Sequence, residues 1–179
     1  MPAPLPFLVQ YHHNQARTDT IHVYVAKAER QMIDDIYNRK ILDFAGNIPA
    51  IGRLAAPDGS AVAHSKLCGS TVSVDLNLAE GKVTAFAHDV KACALGQASS
   101  SIMARHVIGS TSEELRTLRL TVTAMLKQNG PPPQGRWSDL ECLIPVREYK
   151  ARHASTLLTF EAVVKALDEA EARAATPAA

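Results

Sequence analysis

The chain has almost no excess of charge of either sign. Its 19 Lys and Arg balance 18 Asp and Glu for a formal net charge of +1, so no broad electrostatic footprint for nucleic acid or an anionic membrane exists. No apolar run approaches the roughly 20 residues of a membrane span. The opening residues Met1 to Val9 have neither a basic stretch nor an adequate apolar one, which argues against an export signal. Cysteine is scarce: Cys68, Cys93 and Cys142 are the three present, and three cannot all pair within one chain. Without an export signal they read as reduced thiols of a cytoplasmic protein. P-loop, dinucleotide fingerprint, HExxH motif and internal repeats are all absent.

What is present fits one domain, since 179 residues suffice for a real core. Residues 1–30 are a poorly patterned N-terminal extension. Pro2, Pro4 and Pro6 exclude a helix there, and Thr20 to Val25 alternates like a strand without a hairpin partner. Met32 is an alternative natural start. Residues 31–44 predict an amphipathic helix with Ile33, Ile36, Tyr37, Ile41 and Leu42 on one face, ended by Gly46 and Pro49. A connector, Asn47 to Gly59, follows.

Residues 60–91 predict a small antiparallel sheet. Val72, Val74, Leu76 and Leu78 alternate with Thr71, Ser73, Asp75 and Asn77, giving a buried face and a polar face. Glu80-Gly81 marks a turn, and Val83 to Val90 returns as the next strand. Residues 93–105 predict a helix. Thr111-Ser112-Glu113-Glu114 has the form of a capping box and opens a helix through Leu115, Leu118, Val122, Met125 and Leu126, stopped by Gly130 and Pro131. Residues 129–138 read as a loop and Leu140 to Tyr149 as a short helix. Ser155 is placed to cap a last helix through Leu158, Val164 and Leu167. Residues 168–179 are its end and a tail that frays after Arg173.

Cys68 precedes the strand that starts at Thr71, and Cys93 follows the strand that ends near Val90. Antiparallel neighbours set the start of one beside the end of the next, so the two thiols are predicted to meet at one sheet edge. Cys93 also stands at a strand-to-helix junction, where the helix dipole favours thiolate, the form that binds metal or attacks sulfur. Ser99, Ser100 and Ser101 read as first-turn residues bonding free N–H groups.

With these features the chain resembles the NifU-like iron–sulfur cluster assembly scaffolds of the IscU and SufU type, over about Gln31 to Leu167. Cys68-Gly69 resembles the family's first cysteine. Cys93 followed by Ala98-Ser99-Ser100-Ser101 resembles its second. Val146-Arg147-Glu148-Tyr149-Lys150-Ala151-Arg152 resembles the string before the third cysteine in the SufU branch, as does the insert holding Pro131 to Pro133. The resemblance implies an α+β fold, a three-stranded antiparallel sheet with helices packed on one side, with residues 31–167 as the scaffold domain. It implies a cluster or zinc site from two cysteines, an aspartate and a third cysteine. It also implies a cysteine desulfurase as sulfur donor and apo-proteins as acceptors. The family's aspartate is Ser70 here and its third cysteine is Ser155, three residues after Arg152.

Neutral hydroxyls are weak donors for iron or zinc, so Cys68 and Cys93 are the expected ligands of iron, of a [2Fe–2S] cluster or, alternatively, of zinc. His153, His64 and Cys142 are candidate replacements for the missing donors. Lys150, Arg152 and His153 otherwise read as a solvated helix face. The expected function is a scaffold or carrier and not an enzyme. The alternatives are a zinc-dependent sulfur acceptor of the SufU type, or a degenerate paralogue acting only through protein contacts. Two thiols per chain also raise a homodimer with four thiolates around one cluster.

Overall fold

The computed structural model describes residues 39–66 and 68–175, within a compact unit Ile36–Ala179. The readings of residues 1–30, of Ile33, Ile36 and Tyr37, and of the tail beyond Ala175 lie outside the described residues. Residues 39–46 are helical (α1). Ile41 and Phe44, three apart, form its buried side. Leu42, expected on that side, sits about 100° round the helix from Ile41 and is 62% exposed.

Three antiparallel strands follow in spatial order β1 (Gly59–His64), β2 (Thr71–Ala79) and β3 (Lys82–Lys91). Period-two alternation works as read on the core face, where Val72, Val74 and Leu76 are fully buried. The opposite face of β2 is not simply solvated. Asp75 is 1% exposed, because the connector crosses that face and covers it. Residues 50–52 run beside β3 through Gly52 N–H to the His88 carbonyl at 2.9 Å and His88 N–H to the Ala50 carbonyl at 3.0 Å. Arg53 then forks onto the Asp75 carboxylate at 2.6 and 2.8 Å, joined by Leu54 N–H at 3.0 Å and Ser60 Oγ–H at 2.7 Å. Burial pushes the Asp75 carboxyl up, but these donors outweigh it and hold it below the usual carboxylate range.

Helices α4 (Lys150–Ala175) and α2 (Ala94–His106) pack over the core face, and α3 (Ser112–Lys127) packs against α4. Of the expected capping box the N-cap half forms, Thr111 Oγ1 accepting from Glu114 N–H at 3.1 Å, while the Glu114 carboxylate turns instead to accept from Trp137 Nε1–H at 2.8 Å. Two boundaries differ from expectation. Residues 129–138 are not all loop, and no short α-helix starts at Leu140; a 3-10 helix spans Gly135–Glu148. Trp137, Leu140, Leu143 and Val146 are its buried row. That spacing of three suits a helix with three residues per turn, where i and i+3 eclipse. The second difference is α4, which begins at Lys150. Ser155 therefore lies inside the helix rather than at its cap, and its hydroxyl donates back to the Arg152 carbonyl at 3.0 Å. From Ser155 to Leu158 every α4 residue is buried, as befits a helix enclosed by β1, β2, α2 and α3.

Candidate functional site

The β2–β3 register pairs Thr71 with Lys91. This sets the loop before β2, which carries Cys68, beside the segment after β3, which carries Cys93. The Cys68 loop is closed by Ser65 N–H to the Ser70 carbonyl and Gly69 N–H to the Ser65 carbonyl, each 2.9 Å. Gly69 has φ 68°, a left-handed backbone in which a side chain is strained. Cys93 is the N-cap residue of α2, with extended backbone. The third contribution is α4, which approaches α2 so closely that a Cβ on Gly96 would lie 3.0 Å from the Ser155 carbonyl oxygen. That approach brings Ser155 Oγ to 3.4 Å from Cys93 Sγ.

The two thiols thus come from separate elements, and a buried hydroxyl, that of Ser155, reaches the Cys93 sulfur. Cys68 is exposed, with Ser70 Oγ at 3.0 Å and Ser65 Oγ at 3.3 Å from its sulfur. As a thiol Cys68 can donate to one hydroxyl and accept from the other; as a thiolate it accepts from both. The Ser65 hydroxyl, then the Ser70 hydroxyl and backbone N–H, pull the Cys68 thiol down to about 7. Cys93 is half-buried. Burial pushes its thiol up, but the Ser155 hydroxyl, the N–H groups of Gly96 and Leu95 and the charge of Arg152 together bring it below the ordinary value.

The other candidates lie elsewhere. His64 is exposed on β1, its Nδ1 3.0 Å from Thr71 Oγ1. His153 is not on a solvated face. It is buried, and its Nε2–H donates to the carbonyls of Val146 at 3.1 Å and Arg147 at 3.2 Å. Cys142 is buried in the 3-10 helix, and burial pushes its thiol up to about 12. Among the described residues no three His, Cys, Asp or Glu side chains gather to hold a metal ion, so none of His64, His153 and Cys142 joins Cys68 and Cys93 as a third donor. One described chain offers two thiols suited to iron or zinc and hydroxyls that are not. The serines of α2 also differ from expectation. They are fully buried, with Ser99 Oγ donating to the Leu95 carbonyl at 2.9 Å and Ser101 Oγ to the Asn47 carbonyl at 3.0 Å. Their role is to dock α2, not to satisfy its first N–H groups. Ser65 went unread because its only signal is a position three residues before Cys68.

Beside Cys93 opens a largely apolar groove of about 430 Å³, lined by Ile41, Leu42, Leu95, Val146, Tyr149 and Arg152 among others. A larger opening of about 600 Å³ lies by the β2–β3 turn, at the other end of the sheet, and has no thiol in its lining.

Comparison with known proteins places this geometry among relatives. A family model described as NifU-like N terminal domain matches residues 36–170. The iron-sulfur cluster assembly scaffold protein IscU of Thermotoga maritima is 24% identical over 134 residues, covering 74% of this chain and 92% of that protein. The protein of the same name from Streptococcus pyogenes serotype M1 is 28% identical over 104 residues, 58% of this chain and 65% of its own length. Among solved structures, the crystal structure of a nitrogen-fixing NifU-like protein (N-terminal) from Brucella abortus is 62% identical, with TM-score 0.76, covering 79% of this chain and 98% of that one. A putative SUF-system scaffold from Fervidobacterium islandicum, at 19% identity and TM-score 0.65, shares the fold. No described helix is long and apolar enough to cross a membrane.

Proposed function

Because the chain belongs to the NifU-like N-terminal domain family, we propose that it is a scaffold or carrier in iron–sulfur cluster assembly, taking iron and sulfide as cargo on Cys68 and Cys93. One observation carries this reading: two thiols from different elements, both disposed to ionise, stand at the same end of the sheet. Thiolate is the form that binds iron. The site needs no general acid or base, since cargo is held and passed on rather than converted. A cysteine desulfurase is the proposed sulfur source and apo-proteins the proposed acceptors.

The experiment is anaerobic incubation of the full chain with ferric iron and sulfide, followed by desalting. Retained iron and sulfide with visible charge-transfer absorption is the expected result. Both are lost when Cys68 and Cys93 are replaced by serine. Absorption that persists in that double variant would place the cargo elsewhere, and no retention in either chain would favour a degenerate paralogue.

A second reading has its own support in the exposure of Cys68 and its thiol near 7. A Cys68 thiolate attacking the outer sulfur of a desulfurase persulfide would form Cys68–S–S⁻ and release the desulfurase thiol, with no net oxidation. Zinc, as in the SufU type, would need donors beyond this pair. Mass mapping after mixing with a loaded desulfurase distinguishes this reading: an added sulfur on Cys68 supports it, and unmodified Cys68 excludes it.

A further inference from the structure

We propose that residues 48–52 form a pH-sensitive strap, fastened along the free edge of β3 by the neutral His88 imidazole and released when that ring takes up a second proton. The inference lies apart from the thiols and does not depend on what they carry. β3 is an edge strand, paired with β2 on one side from Lys82 to Lys91. Among the described residues, the strap's hydrogen bonds to that strand all run to His88. His88 N–H donates to the Ala50 carbonyl at 3.0 Å, its carbonyl accepts from Gly52 N–H at 2.9 Å, and its ring Nε2 lies 2.9 Å from the Pro49 carbonyl. A carbonyl only accepts, so Nε2 carries the ring proton and Nδ1 is the bare nitrogen. Nδ1 is buried with no hydrogen-bond partner among the described residues, and the residue as a whole is 0% exposed.

A second ring proton therefore lands on Nδ1, where it meets no acceptor, and the charge it brings is buried. Phe86 meets the ring edge-on at 5.1 Å between centroids, and Val74 pairs with His88 across the strands. Burial holds the imidazole below its ordinary value, against the Pro49 carbonyl and the Asp89 carboxylate, which favour the charge. The charged groups of the surrounding elements are engaged elsewhere. Arg53 of the connector lies on Asp75 of β2, Arg105 of α2 on the Asn47 carbonyl, Asp43 of α1 on the Asn47 side chain, and Lys40 of α1 and His106 of α2 on Asp139. Water reaches the imidazolium at least cost if the strap lifts, since the alternative breaks the β2–β3 ladder. None of residues 48–52 is buried, and Ala50 holds φ 57°, a left-handed backbone that strains a side chain. The strap therefore loses few contacts on opening, between anchors at Asn47 and Arg53 that stay closed. The edge it uncovers belongs to the strand that leads into Cys93.

The opened form binds the proton more tightly, so the strap is fully closed above the ordinary imidazole value of about 6.5 and loosens as pH falls below it. The test is amide hydrogen exchange of the full chain by NMR from pH 7.5 to pH 5, corrected for the intrinsic rate, with the His88 ring shifts followed in parallel. Protection of the His88 and Gly52 amides is expected to fall by up to about tenfold for each pH unit below about 6.5, while the β1–β2 ladder keeps its own. Protection that holds to pH 5 overturns the proposal, whether or not the ring titrates. Protection lost while the ring is still neutral also overturns it, as does an equal loss in the β1–β2 ladder, because the whole fold is then opening. His88→Gln keeps an amide donor for the Pro49 carbonyl and cannot titrate, so its strap is expected to stay protected at pH 5. A folded His88→Gln chain that still loosens with acid overturns the role of His88. If that variant does not fold, the paired titrations of the natural chain decide.

Discussion

Cys68 and Cys142 show how strongly surroundings divide two side chains of one type. Around Cys68, hydroxyls and a backbone N–H solvate the anion at the surface, and the thiol falls to about 7. Around Cys142, apolar packing excludes the anion, and the thiol rises to about 12. A depressed thiol is thiolate above its folded value and loses that form as pH falls through it. Iodoacetamide modification of Cys68 is therefore expected to reach half its plateau rate near pH 7. Cys142 stays unmodified at pH 8 while the chain is folded. Removing the largest stabilising contact, in Ser65→Ala, moves the Cys68 midpoint upward, and an unmoved midpoint would mean that hydroxyl is not what holds it down. The serines at the other two positions make a second test. Ser70 Oγ lies 3.0 Å from Cys68 Sγ and Ser155 Oγ lies 3.4 Å from Cys93 Sγ. The pair Ser70→Asp with Ser155→Cys adds a carboxylate and a thiolate at those places. Zinc titration at neutral pH is expected to show affinity at least about a hundredfold higher than in the natural chain, since loss of a mere outer-shell partner already costs about 10–100-fold and here two direct donors are gained. Equal affinities would mean the new groups do not converge on the thiols.

At the scale of elements, the site depends on α4 lying close against both the sheet and α2. Two glycines permit it. A Cβ on Gly96 would meet the Ser155 carbonyl oxygen at 3.0 Å, and one on Gly59 would lie 2.0 Å from the Ala166 carbonyl oxygen and 2.9 Å from the Ala170 nitrogen. The clash at Gly59 is with backbone, which cannot rotate away. Gly59→Ala is expected to cost about 3 kcal/mol, the upper part of the range for overpacking, read as a lowered urea midpoint. Gly59 stands at the start of β1, five residues and about 17 Å along the strand from His64, so Cys68 alkylation at pH 7 should not change. A loss below about 1 kcal/mol would mean that α4 can retreat from β1. The 3-10 helix works at the same scale. Its buried row of Trp137, Leu140, Leu143 and Val146 leads directly to Lys150. It thereby determines where α4 starts and how deep Ser155 sits.

For the whole molecule, the family match begins at residue 36 and ends at 170, so residues 1–31 lie outside the matched domain. A chain beginning at Met32 is therefore expected to fold with a melting temperature close to that of the full chain. A loss of more than about 2 kcal/mol would assign residues 1–31 a packing role, since changes of that size come from lost core or hydrogen-bonded contacts.

Local pattern by itself determined strands β2 and β3, the N-cap at Thr111 and the meeting of Cys68 and Cys93 at one end of the sheet, while the third strand was implied only by the family resemblance. Short antiparallel connections make strand ends neighbours whatever the rest of the chain does. Tertiary structure alone decided the remainder of the site. Ser155 is 62 residues from Cys93, and its contact depends on how closely two helices cross at Gly96. Its place inside α4, rather than at a cap, follows from a 3-10 helix that ends at Glu148. Periodicity identified the apolar faces but not what covers the polar ones. It therefore missed the connector over Asp75, the burial of Ser99 to Ser101 and the burial of His153. A polar side chain reads as exposed until its hydrogen-bond partners, distant in the chain, are known.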